Sequence, residues 1–234
     1  MTMTRLSLLS ALALVAGCST PPDHYHTLRP AAAAAPSGAR DAQRLLAIGP
    51  VTVPDSLARD EWVIRTGDTS AMIYDHQLWT QGVAADVAQS LVDYLNRGTL
   101  PDGLWADAGP TGSGSGADLE RPAPLRVRVQ VLRLDSILVP APAVSDQVRW
   151  TIECLPSDPA LGPVDAGRYR VVRTAVRDAA GPAPAANASI AEPQQRFDRV
   201  ARAHSETVRL VAEDVAAALR ASSAERAQVC VTGH

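Results

Sequence analysis

Lysine is absent from the 234 residues, phenylalanine occurs once, at Phe197, and cysteine only three times, at Cys18, Cys154 and Cys230. Every basic side chain is therefore an arginine. Twenty-two of them against 25 acids leave a formal net charge of −3, which offers no field for holding nucleic acid or anionic lipid by charge alone. Aromatic residues make up 4% of a chain whose hydrophobic fraction is an ordinary 46%. The core is thus expected from small and branched side chains, valine and alanine above all. Without a C-x-x-C pair or a His–Glu set, the ligands that close a zinc site are missing. Long apolar runs are also scarce: Leu6 to Ala16 falls far short of the ~20 residues that span a bilayer.

That run follows Arg5 and reads as a signal peptide, removed from the mature chain. It ends in Leu14-Val15-Ala16-Gly17-Cys18, which resembles the bacterial lipobox, where the cysteine becomes the first residue and carries covalent lipid. The alternative is a buried or free cysteine just past an ordinary cleavage site. If Cys18 is lipidated, Cys154 and Cys230 remain as an even pair in an oxidising compartment. They could bridge, which would stabilise the fold by ~4 to 5 kcal/mol in the chain-entropy model, or stand apart as two buried thiols. The distance between their Cα atoms decides.

The chain divides into a signal peptide (1–17), a Pro/Ala-rich tether (18–43) that would carry the lipid, one folded domain (44–222) and a tail (223–234). Within the tether only Tyr25 to Leu28 has the apolar character of a short docking strand. Leu46, Ile48, Val51 and Val53 read as a strand interrupted at Gly49-Pro50, marking an edge or a bulge. Segments 61–66 and 70–75 flank Gly67-Asp68 as a hairpin. Trp79, Val83, Val87, Leu91 and Leu95 recur every four residues and predict a helix that Gly98 ends. Leu125, Val127, Val129 and Val131 alternate with Arg126, Arg128 and Gln130, giving a strand with one apolar and one arginine-bearing face. Val148, Trp150, Ile152 and Cys154 line another strand, and 168–176 a third. Phe197, Val200, Ala201, His204, Val208, Val211, Val215 and Leu219 form one face of a last helix. Two helices covering a mixed sheet make the fold α/β.

Chemistry is harder to find. Gly112 to Gly116 has the glycines of a phosphate loop without its lysine, preceding strand or following helix, and reads as a linker. His24 and His26 lie in the solvated tether. His76 reads as a helix-start residue and His204 as a hydrogen-bonded core or interface histidine; no serine or cysteine stands in a nucleophile motif beside either. Asp86, Asp93, Glu206, Glu213 and Asp214 read as the wet sides of helices. Arg126 and Arg128, with Arg133 beyond them, are either the water-facing side of a sheet or a protein interface, where arginine forks pair with carboxylates. With no nucleophile and base to name, an enzyme is not expected.

Taken in order, Cys18, the Tyr25–Leu28 element, the 48–68 stretch with Pro54, Leu57 and Arg59, and the helix read from Trp79 resemble the ABC-type transport auxiliary lipoproteins, the family of paraquat-inducible protein C. Ala58 and Leu78 depart from the family pattern, which tends to have an acidic and a basic residue there. The resemblance implies an α/β domain similar to the amino-terminal domain of TolB. It also implies a non-catalytic lipoprotein of the outer membrane's periplasmic leaflet, without a cofactor. Its implied partners are an MCE-domain protein that bridges the periplasm and an inner-membrane transporter component in lipid transport, and it could assemble as a homo-oligomeric ring. Ser19 after Cys18 is similar to outer-membrane-sorted lipoproteins. The alternative is a stand-alone envelope-maintenance or peptidoglycan-associated lipoprotein.

Overall fold

The structure is a computed structural model and describes residues 21–29, 44–101, 103–108, 125–154, 170–182 and 193–221. Strands β1 (His24–His26), β2 (Arg44–Thr52), β3 (Glu61–Arg65), β4 (Ala71–Trp79), β5 (Leu104–Ala108), β6 (Leu125–Ile137), β7 (Ala143–Cys154) and β8 (Arg170–Pro182) join in one mixed sheet. Two helices, α1 (Val83–Leu95) and α2 (Pro193–Ala221), pack on it.

β6 organises the sheet. Its period of two buries Leu125, Val127, Val129 and Val131. Antiparallel β7 pairs along its whole length and carries β8 beyond it. The other edge of β6 is shared: parallel β2 takes the first half, with β5 outside it, and β3 joins at Ile64↔Ser136 and leads on to β4 and β1. The Gly49-Pro50 interruption is a bulge and not an edge, because β2 lies between β5 and β6. The register with β6 shifts there between Ile48 and Val51, and Gly49 takes φ +124, which a side chain would resist. Val83, Val87, Leu91 and Leu95 from α1 and Phe197, Val200, Val208, Val211, Val215 and Leu219 from α2 are all buried with the inner faces of β2, β6 and β7. Each such side chain contributes roughly 1.5 to 3 kcal/mol of burial.

Three sequence expectations change, and a fourth point is a strand that none of them covered. The first helix starts at Val83, not at Trp79, which is the last residue of β4. His76 accordingly lies in β4 and opens no helix. The four-residue spacing suits a helix, but pairing decides: Gln77, Leu78 and Trp79 are held by β1, and Leu78 also by Glu61 of β3. Gly82, at φ 74 and ψ 152, then makes the break in a region essentially reserved for glycine. Second, the folded part begins before residue 44. β1 is a strand of the sheet, and Leu28 and His26 are buried, so 24–29 belong to the domain and the docking strand is real. Third, Asp86 faces inward and is fully buried. Fourth, β5 had no reading in the sequence. Its five residues are too few to show a period, and the pairing of Leu104–Ala108 with β2 makes it a strand.

Strand polarity fixes which loops share an end. β1 runs parallel to β4, β4 antiparallel to β3, β3 parallel to β6, and β6 antiparallel to β7. The 66–70 turn and the 138–142 turn therefore lie together at one end of the sheet, and β1 runs away from that end, its first residue His24 opposite Gln77.

Candidate functional site: a cleft beside the β2 bulge

Where β2 bulges, past the last residue paired with β5, a cavity of about 770 Å³ opens between the strand, the segment leading to β3 and the first turn of α1. Val51, Val53 and Leu57 form apolar wall, while Arg59, Asp60 and Gln81 bring polar groups, and Arg126 enters from β6. Two positions make this shape. The one-turn 3₁₀ helix Asp55–Leu57, closed by the Leu57 N–H donating to the Pro54 carbonyl at 2.8 Å, turns the chain so that Leu57 and Arg59 line the cleft. Gly82 brings the start of α1 close: a Cβ there would lie 3.7 Å from Asp60 Oδ1.

Three of the residues singled out in the sequence thus meet here, Leu57, Arg59 and Arg126, with Pro54 as the carbonyl that sets the turn. Arg128 lies on the same face of β6, donates to Glu153 Oε2 at 2.7 Å and lines a neighbouring cavity of about 300 Å³ with Gln130, Arg149 and Thr151. Trp79 is elsewhere. It is buried against Trp62, ring centroids 4.4 Å apart, and acts on packing. Cys18 and Cys230 lie outside the described residues; Cys154 closes β7, and only its backbone is described. An arginine fork beside apolar wall suits a segment that offers a carboxylate next to apolar side chains.

A second constellation escaped the sequence reading. His204 Nδ1 lies 2.9 and 3.0 Å from the two oxygens of Asp146, and its Nε2 lies 2.8 Å from Ser136 Oγ. A Ser–His–Asp arrangement with these distances is the geometry of an activated nucleophile. Here it has no access. Ser136, His204 and Asp146 are all buried, Trp62 Nε1 donates to Ser136 Oγ at 2.8 Å, and Thr207 Oγ1 donates to Asp146 Oδ2 at 2.7 Å. With the carboxylate accepting from Nδ1–H, Nε2 is left to accept the serine proton, and every polar group is satisfied. The network ties α2 to β6 and β7, which bears out His204 as a hydrogen-bonded core residue. No signal could have found it, since its members come from three elements spread over 68 residues of β6, β7 and α2.

The amino-terminal arm is held at several points. His26 is buried, its Nε2 2.7 Å from Gln77 Oε1, and burial lowers its pKa from the usual imidazole value, with the Gln77 bond opposing. The histidine is therefore not part of a solvated tether. Thr27 Oγ1 donates to Asp86 Oδ1 at 3.2 Å, and Arg29 pairs with Asp93 at 2.8 Å. Burial raises the Asp86 pKa above the ordinary carboxylate range, against the bonds from Thr27, Leu28 and Gln81. Its Oδ2 has no hydrogen-bond partner among the described residues. Asp86 is inside because it fastens the arm to α1, a demand that helical periodicity does not reveal.

The profile of the ABC-type transport auxiliary lipoprotein component matches residues 26–216, from the last residue of β1 to near the end of α2. The chain belongs to that family. In fold the chain is similar to a protein from Xanthomonas campestris. The crystal structure of that protein, XCC0632 of the DUF330 family, superposes with a TM-score of 0.55 at 14% identity, over 88% of this chain and 99% of that one. A second crystal structure, of an uncharacterized protein, gives 0.53 at 17% identity over 84% and 98%. Both share the single mixed sheet with its long carboxy-terminal helix. No curated protein matches the sequence. Among the described residues no helix is long and apolar enough to cross a membrane.

Proposed function

We propose that the chain is a lipid-anchored, non-catalytic docking adaptor of an MCE/ABC-type intermembrane lipid transport system, held in the periplasmic leaflet of the outer membrane through Cys18. Membership of the auxiliary lipoprotein family supports the transport association. The observation that carries the docking role is the cleft beside the β2 bulge, which gathers Leu57, Arg59 and Arg126 from separate parts of the chain. Its occupant is an apolar segment bearing a carboxylate, supplied by the MCE-domain partner, with the inner-membrane transporter component engaged through that protein. The Ser136–His204–Asp146 set supports a binding role and not hydrolysis, because a sealed nucleophile cannot reach a substrate.

In-cell crosslinking of the native lipoprotein, followed by identification of what it captures, tests the reading. Recovery of an MCE-domain protein is expected; recovery of wall-associated proteins alone would sink it. A homo-oligomeric ring belongs to the same reading, and the mass of the detergent-extracted lipoprotein tests it separately, a monomer ruling the ring out.

A further inference from the structure

β1 runs parallel to β4, so Asp23, just ahead of it, is on its side nearer the end of the sheet where the 66–70 and 138–142 turns lie. Asp23, whose Oδ1 accepts from His76 Nδ1 at 2.8 Å, still follows the β4 register. Cys18 is five residues earlier, and an extended chain spans at most ~3.6 Å per residue. The cysteine is thus bound to within roughly 18 Å of Asp23. The long Pro/Ala stretch after Arg29 adds nothing to this reach, because it follows β1.

Three of the five large exposed apolar side chains among the described residues lie at that end. The five are Tyr25, Leu45, Met72, Ile73 and Val139. Met72 and Ile73, 52% and 45% exposed, open β4 just past the 66–70 turn, and Val139, 58% exposed, stands in the 138–142 turn. β1 covers β4 only from Gln77 onward, which leaves Met72 and Ile73 bare. Residues 66–73 and 138–142 carry one charge between them, Asp68. The first turn is held in shape: Arg65 pairs with Asp135 at 3.2 Å and donates to the Asp68 carbonyl at 2.7 Å.

We propose that this end of the sheet rests in the lipid surface beside the anchor, with Met72, Ile73 and Val139 as its apolar contacts, so that the domain has one fixed orientation on the membrane. The proposal rests on the reading of Cys18 as the lipid-bearing residue. The lipid leaflet is the occupant because Asp23, beside His76, stands four residues of strand, roughly 13 Å, from Met72, so the anchor's reach takes in this end, where a second weak contact acts at high effective concentration and adds to the acyl chains. The cleft then faces away from the membrane: Val129, paired with Val51 of its wall, is eight residues before Ile137, roughly 26 Å at strand rise.

The test places benzoylphenylalanine at position 72, 73 or 139 of the full chain in cells, with Leu45→benzoylphenylalanine as an exposed apolar position at the opposite end. After irradiation, mass spectrometry reads phospholipid adducts, and radiolabelled fatty acid reads the anchor. Adducts at 72, 73 and 139 and none at 45 are expected. A labelled, membrane-bound chain with no tip adducts, with equal adducts at 45, or with tip adducts only to protein or to a second copy overturns the orientation alone. A chain carrying no fatty acid overturns the anchor reading, and the proposal with it.

Discussion

His26, the last residue of β1, stands edge-on to Trp62 with 4.7 Å between ring centroids. The arm that leads back to Cys18 is in this way keyed into the aromatic centre of the core, where Trp62 also meets Trp79 and Phe197.

Because burial lowers the His26 pKa, the folded state holds the ring neutral while the unfolded chain titrates near ~6.5. The stability this provides is fully present above pH ~6.5 and is lost as pH falls through the lower folded value. Urea midpoints are expected to drop between pH 7.5 and 5.5, and less so in His26→Gln; identical pH slopes in the two proteins would contradict this. Asp198 on α2, 3.7 Å from Nδ1, softens the effect without reversing it.

Asp86 gives the opposite sign. Its raised pKa means that ionisation costs folding energy as pH rises above the unfolded carboxyl value of ~3.9. Asp86→Asn keeps the acceptor for Thr27 and removes that cost, so its melting temperature is expected above that of the parent at pH 7.5, with the gap narrowing toward pH 4. A destabilised Asp86→Asn at neutral pH would show that the charge itself is needed.

His204→Ala leaves the buried Asp146 carboxylate with Thr207 as its remaining side-chain partner among the described residues. A loss of about 1 to 3 kcal/mol is expected from leaving buried groups without their hydrogen-bond partner. Ser136→Ala, which orphans the Trp62 indole N–H, should cost about 1 to 3 kcal/mol. Denaturant unfolding measures both, and near-neutral values would mean that water enters the network.

Gly82→Ala should cost about 1 to 3 kcal/mol through its backbone alone, since a methyl group there meets only an ordinary 3.7 Å contact. A crystal structure of the variant is expected to show the start of α1 displaced from Asp60, and an unchanged melting temperature would refute the strain.

Arg59→Glu reverses an exposed cation in the cleft wall. Its unfolding free energy is expected to stay within about 0.5 kcal/mol of the parent, as is typical of surface changes, while capture of the partner in cells falls. Undiminished capture would move the docking surface elsewhere.

Much of the fold was legible where one face of an element is buried and its period is sustained. Val127, Val129 and Val131 on β6 and Phe197 through Leu219 on α2 show this. It failed where a local pattern was outvoted by distant pairing. Trp79 carries helical spacing yet belongs to β4, and Asp86 looks like a wet helix position yet fastens Thr27. Leu57, Arg59 and Arg126 could be singled out, but their meeting depends on the Gly49 bulge and the Gly82 turn, and nothing in the spacing of the three announces it. The Ser136–His204–Asp146 network was beyond reach for the same reason.

β1 is only three residues long, but it is paired in parallel with β4 along the strand axis. A load applied at the amino terminus pulls along the strand axis, so the β1–β4 hydrogen bonds are stretched in shear and resist together, where a perpendicular pull would unzip them one after another. The bonds from Thr80 to the His26 carbonyl and from Thr27 to Asp86 back them up. A three-residue strand can in this way serve as a mechanical clamp between the membrane and whatever draws on the cleft.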